Sequence, residues 1–270
     1  IAGDLLLVDV FQMGAAGAAW ATVFAQAVSV ILSMFVIARR KLPFTFSRSQ
    51  LRFDRVLTSG ILRLGLPIAL QEVLVGISFL VILASVNSLG LLQSAGVGFA
   101  EKVCAFVMLL PSAFSQSVSA FVAQNIGAGK PERAKKALRY SVIVSLCISV
   151  FVFYFNFFHG DLLAGIFANE RAVIAEAADY LKAYAIDCLL TSFLFCFVGY
   201  FSGLGKTVFV MAQGIAGAFG VRIPISFFMS KLPNVRLFYI GLATPCSTIV
   251  QVILCLFYYV YLAHKNKQQE

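Results

Sequence analysis

Charge is scarce in this sequence. Asp, Glu, Lys and Arg make up 12% of its 270 residues, hydrophobic types make up 60%, and the mean hydropathy is +0.91. A soluble domain of this size does not stay in solution with that composition, so lipid is the solvent for most of the chain. Metal and disulfide signatures are lacking too. The six cysteines, Cys104, Cys147, Cys188, Cys196, Cys246 and Cys255, fall inside apolar stretches without a C-x-x-C pair and read as reduced packing residues. The start lacks the basic segment, short apolar core and cleavage site of a secretory signal. It opens on Ile1 and reads as truncated at its amino end. Long polar loops are missing as well, which leaves no room for a soluble catalytic domain; neither an enzyme nor a bound cofactor is expected.

What remains is a series of apolar stretches. Seven are long enough to cross ~30 Å of hydrocarbon as helices, at about 14–38, 61–88, 94–124, 137–158, 172–202, 207–230 and 237–263. Residues 1–12 read as the outer end of an eighth. The net charge of +9 is placed rather than spread. Arg39, Arg40, Lys41, Arg48, Arg52, Arg55 and Arg63 lie between spans one and two, and Lys130, Arg133, Lys135, Lys136 and Arg139 between three and four. Lys206 follows span five, and Lys265 and Lys267 end the chain. The intervening loops hold only Arg171, Lys231 and Arg236. This positive-inside pattern makes the basic loops and the carboxyl terminus cytoplasmic, in a multi-pass protein of the cell (inner or plasma) membrane. It accounts for the charge without nucleic acid, which is excluded as a partner.

The expected fold is all-α, a polytopic membrane bundle of a six-helix lobe plus the last one and a half helices of a partner lobe. Residues 1–38 close the first lobe, 39–60 form a cytoplasmic linker, 61–264 the second lobe and 265–270 a tail. The linker mixes arginines with Phe44, Phe46, Leu51, Phe53, Val56 and Leu57, the pattern of a short helix lying on the membrane surface. An internal echo supports two lobes. Span one begins Gly17-Ala18-Ala19 and carries Thr22 and Gln26, while span seven begins Gly241-Leu242-Ala243 and carries Thr244 and Gln251. A six-helix separation between like helices is what a transporter built from two repeats shows.

Two segments imitate phosphate loops. Gly203-Leu204-Gly205-Lys206-Thr207 has Tyr200 where the pattern needs glycine, and Gly127-Ala128-Gly129-Lys130-Pro131 has proline where it needs a hydroxyl. Both read as helix-to-helix turns, glycine ending one helix and Pro131 opening the next. Ionisable residues inside spans carry more information, because each needs a partner, a proton or water. Glu101, Lys102, Lys182 and Asp9 lie near span ends and read as structural. Asp187 and Arg222 stand equally far from the turn at Gly203–Lys206, hence at similar depth. They form either a buried ion pair or a carboxylate whose protonation the arginine sets. Glu72, beside Gln71 and after Pro67, lies mid-membrane with no basic residue at matching depth, and reads as a site for a proton or cation. Pro111, Pro224 and Pro245 fall inside spans, and Ser112, Ser115, Ser117, Ser119 and Gln116 make the second half of span three polar.

The order of several segments resembles the multidrug and toxic compound extrusion (MATE) family. Asp4-Leu5-Leu6 through Met13-Gly14 and Gly17-Ala18-Ala19 looks like the junction of its fifth and sixth helices. Leu64-Gly65-Leu66-Pro67-Ile68 resembles the start of its seventh, Gln124-Asn125-Ile126-Gly127-Ala128-Gly129 the loop after its eighth, and Ser202-Gly203-Leu204-Gly205-Lys206-Thr207 the loop after its tenth. The resemblance implies two six-helix lobes around a central cavity, with the missing amino-terminal lobe as partner. It also implies export of small amphiphilic, often cationic compounds against protons or sodium ions. Asp4 matches a coupling aspartate of the fifth helix. Glu72 and Asp187 lie on the helices that carry coupling carboxylates in other members, about one turn nearer the helix starts. The expected site is therefore Asp4, Gln71, Glu72, Asp187 and Arg222. The rival readings are a flippase for lipid-linked saccharides of the same superfamily, which would need several deep cations where only Arg222 stands, and a seven-helix receptor.

Overall fold

The computed structural model describes residues 3, 5–39, 53–233 and 235–267. Contacts divide the chain into two units, 1–55 and 56–270. In the first, a π-helical turn Leu5–Val10 leads through Gln12, at φ 50°, into α1 (Gly14–Arg39). The amide N–H groups of Phe11 and Met13 donate to the carbonyls of Leu6 and Leu7 at 3.0 and 3.1 Å, folding the turn back on α1. Residues 5–10 thus wind as a π-helix, wider than an α-helix.

The second unit holds α2 (Arg55–Asn87), α3 (Leu91–Gly127), α4 (Pro131–Phe158), a short α5 (Gly160–Gly165), α6 (Arg171–Gly203), α7 (Thr207–Gly217), a π-helical turn Ala218–Arg222, α8 (Ile223–Ser230), a short α9 (Leu237–Gly241) and α10 (Ala243–Lys267). With α7 to α8 and α9 to α10 each counted as one crossing, seven spans are long and apolar enough for a membrane among the described residues. No strand occurs among them. Large apolar side chains such as Phe106, Phe151 and Phe257 are exposed on the outside of the unit, as lipid requires.

Helices outrun the expected spans at their polar ends. α2 begins at Arg55 rather than 61, so the last residues of the expected linker continue span two. A helix satisfies its own backbone whatever the solvent, so it extends beyond the hydrocarbon until a turn signal stops it. The remainder of that linker, 40–52, lies outside the described residues. The two phosphate-loop mimics fold as one kind of turn. Gly129 and Gly205 take φ +68° and +72°, and the N–H groups of Lys130 and Lys206 donate back to the carbonyls of Asn125 and Phe201 at 2.8 and 2.9 Å. That is the left-handed glycine cap of a helix, with Pro131 at the first position of the next.

α6 is the most enclosed of the spans. It packs chiefly on α3, α4 and α10. Its approach to α3 needs bare backbone. A Cβ on Gly203 would stand 2.6 Å from the Ser119 carbonyl oxygen, and one on Gly199, a turn earlier, would overlap the carbonyl of Ser115. Small residues at this spacing let membrane helices gain close van der Waals contact, which replaces the hydrophobic drive that lipid removes.

Gly199→Ala is therefore expected to destabilise the full-length protein by about 1–3 kcal/mol, the usual cost of overpacking. Gly76→Ala, where a Cβ meets nothing within 4 Å, serves as the control. Unfolding of both variants in the same detergent measures the difference, and equal stability would show that the α3–α6 contact is not tight.

Candidate functional site

α6 passes between two apolar layers. Tyr180, Leu181 and Tyr184 pack with Ile82, Val97 and Ile240 in one, and Leu194, Phe197 and Phe201 pack with Val118, Val122 and Val210 in the other. Between them, midway along α6 and ~24 Å from either end, stands Asp187, 2% exposed. A carboxylate in such surroundings is stable only with hydrogen-bond donors aimed at it. Thr191 Oγ1, one turn on along α6, donates to Oδ2 at 3.0 Å, and Thr248 Oγ1 of α10 donates to Oδ1 at 2.6 Å. The Thr248 hydroxyl also lies 3.1 Å from the Thr244 carbonyl oxygen.

Arg222 ends the π-helical turn Ala218–Arg222. Pro224 follows two residues later. Its ring crowds the carbonyl of Gly220 and it has no N–H to close an ordinary turn, so the helix widens there. The wide turn carries Arg222 inward, leaving it 6% exposed. Its Nη1 donates to Ser78 Oγ at 3.1 Å, the guanidinium carbon lies 4.4 Å from the centroid of the Phe79 ring, and Nε is buried without a partner.

Asp187, Thr191, Thr244, Thr248, Arg222 and Phe79 line one cavity of about 300 Å³, joined by Gln71 and Glu72 of α2, Ser115 of α3, Gln213 of α7 and Gln251 of α10. Two glycines of α7 make room for two of the amides. A Cβ on Gly214 would stand 2.8 Å from Gln71 Nε2, and one on Gly217 would overlap the Gln251 amide. Besides Arg222 Nε, Gln71 Oε1, Gln213 Oε1 and Thr244 Oγ1 are buried with no partner, and all four residues line this cavity. Buried polar atoms are nearly always paired, so orphans gathered around one hollow mark a place built to receive polar groups. The oxygen donors around Asp187 are hard ligands, suited to a proton or a hard cation rather than a soft metal.

Four of the five residues expected from the sequence, Gln71, Glu72, Asp187 and Arg222, thus share one cavity. Two readings change. Asp187 and Arg222 do not pair as ions, because the carboxylate is taken by two threonines and the guanidinium by Ser78 and Phe79. Glu72 is not remote from positive charge, since Arg222 lines the same hollow. Asp4 lies outside the described residues, as does the side chain of Asp9. Reasoning from sequence missed Thr191, Thr248, Ser78 and Gln213. The signal was periodic. Thr191 follows Asp187 by one turn, and Thr244, Thr248 and Gln251 stand at i, i+4 and i+7 on one helix.

The MatE family model matches residues 67–228. The "Probable multidrug resistance protein YoeA" of Bacillus subtilis is 24% identical over 259 residues, covering 95% of this chain and 56% of its own length. The "Multidrug export protein MepA" of Staphylococcus saprophyticus is 26% identical over 233 residues, covering 85% and 50%. The chain spans about half the length of the curated relatives it matches. Among solved structures, a MATE crystal structure in complex with MaL6 aligns with TM-score 0.88 at 16% identity, over 98% of this chain and 60% of that one. A MOP superfamily transporter from Pyrococcus furiosus aligns with TM-score 0.85, also at 16%, over 97% and 59%.

Thr248→Val removes the donor to Asp187 Oδ1 and is expected to destabilise the protein by about 1–3 kcal/mol, the cost of an unsatisfied buried group. Thr248→Ser keeps the hydroxyl and is expected to recover most of that loss. Thermal unfolding of the two variants side by side decides, and equal losses would trace the effect to the methyl group.

Proposed function

The chain belongs to the MatE family, and on that premise we propose that the full-length protein is a secondary active transporter of the plasma membrane, exporting amphiphilic or cationic drugs in exchange for H+ or Na+. One observation carries the reading: Glu72, Asp187 and Arg222 line a single cavity whose other walls are aromatic, aliphatic, hydroxyl and amide side chains. With both carboxylates ionised these three charges sum to −1, which favours an organic cation held against the rings of Phe79, Tyr184 and Phe195. A proton or sodium ion taken up at Asp187 brings the sum to zero and removes that preference. The cation and the coupling ion then compete for one charge, and each drives the release of the other.

The multidrug names of the relatives support the substrate class. Transport of this kind needs no cofactor, since the ion gradient supplies the energy. The relatives are about twice as long as the region matched, and Asp4 joins the proposed site as a further coupling carboxylate, as the family resemblance implies. The concentration of lysine and arginine in alternate loops orients the carboxyl terminus to the cytoplasm.

Asp187→Asn in the full-length protein is expected to lower ion-driven efflux of a fluorescent organic cation by roughly 5- to 150-fold, the range of coupling between two sites. Glu72→Gln is expected to weaken it in the same direction by less, because Glu72 is exposed in this unit while Asp187 is enclosed. Vesicles with imposed proton or sodium gradients separate the two coupling ions. Transport that survives both substitutions unchanged rejects the site.

A further inference from the structure

A second hollow, of about 360 Å³, lies away from the transport cavity, where the ends of five helices meet. The carboxyl ends of α3, α6 and α10 and the amino ends of α4 and α7 surround it. Three of these ends supply one lysine each to its lining, Lys135 from α4, Lys206 from the turn before α7 and Lys265 from α10. All three lysines are exposed. Lys135 pairs at 2.7 Å with Glu132, a carboxylate that faces solvent rather than the hollow. The inner wall is different in kind. Tyr200 and Tyr259, with ring centroids 5.9 Å apart, and Leu262 form an apolar floor in the same lining.

Two features select the ligand. Three cations from separate helix ends lining one hollow call for a compact anion; the helix dipoles do not select the sign, since carboxyl and amino ends both meet there. The apolar floor calls for hydrocarbon attached to that anion. Lysine and tyrosine are the residues that place a polar tip at the level of lipid headgroups while their stems stay in the apolar region. Basic pockets between membrane helices on the cytoplasmic side are where phosphate headgroups bind. We propose that this hollow is a binding site for an anionic phospholipid, its phosphate held by Lys135, Lys206 and Lys265 and an acyl chain laid over Tyr200 and Tyr259. The site joins α4, α6, α7 and α10 at the face that carries the basic loops, and a lipid there ties those helix ends together. It does not use the transport reading.

The test is retention of lipid by the full-length protein in detergent, read by native mass spectrometry. The probes are phosphatidylglycerol, phosphatidylcholine of the same acyl chains, and inorganic phosphate. Phosphatidylglycerol is expected to be retained at least about tenfold better than phosphatidylcholine, with each lysine worth about fivefold. The triple variant K135Q/K206Q/K265Q is expected to lose that preference, and K135R/K206R/K265R to keep it. K102Q/K182Q, which removes lysines from elsewhere in the bundle, is expected to leave it unchanged. Equal retention of the two lipids overturns the proposal, as does a triple Gln variant that still prefers phosphatidylglycerol. Displacement of the lipid by millimolar inorganic phosphate would assign the lysines to a free phosphate instead. Should the triple Gln variant fail to fold, K206Q and K265Q singly are each expected to show the fivefold loss, and its absence in both is equally decisive. Because the readout is binding in detergent, its failure leaves the drug-export reading untouched.

Discussion

The arrangement depends on holding a carboxylate at the middle of the most enclosed helix of a membrane protein. Water solvates an ion and hydrocarbon does not, so the side chains around Asp187 must do what water would have done. Thr191 and Thr248 do it with hydroxyl groups, which unlike a lysine or arginine in contact do not fix the charge of the site. The rest of the bundle follows from that demand. Two apolar layers pack above and below, the polar residues of five spans gather in the gap, and close helix contacts at Gly199 and Gly203 keep the layers in register.

Proline and glycine in α7 and the turn after it serve the same layer in different ways. Pro224 opens the helix into a π turn that aims Arg222 inward, while Gly214 and Gly217 let the amides of Gln71 and Gln251 lie against the backbone. The result is a cavity with both signs of charge at fixed places and no ion pair between them. Such separation costs stability, because each charge is satisfied by weaker partners. It leaves both charges available to something that enters.

The span count and the helix-to-helix turns were readable in the sequence, because hydrocarbon thickness and glycine sterics act locally. Glu72, Asp187 and Arg222 were readable as candidates because charge in an apolar stretch is conspicuous. Their partners were not. A threonine in a membrane helix is unremarkable until the fold shows which carboxylate it faces, and Thr248 lies 61 residues from Asp187. Of the two alternatives left open for Asp187 and Arg222, the ion pair is ruled out only by the fold, for a related reason. Counting residues from a shared turn gives depth but not the direction a side chain points, and the π turn shifts that direction. The start of span two at Arg55 was placed too late because hydropathy marks where the oil ends, whereas hydrogen bonding decides where the helix does.

The position of Thr248 has a consequence for what happens when Asp187 changes state. A hydroxyl owns one hydrogen, and this one has two oxygens within reach, the carboxylate at 2.6 Å and the Thr244 carbonyl at 3.1 Å. Should the acid acquire a hydrogen of its own, it can offer it to the threonine oxygen, whose hydrogen then swings to the carbonyl. Carboxyl and hydroxyl each keep a partner before and after, so the enclosed acid can be filled and emptied without stranding either group in the interior.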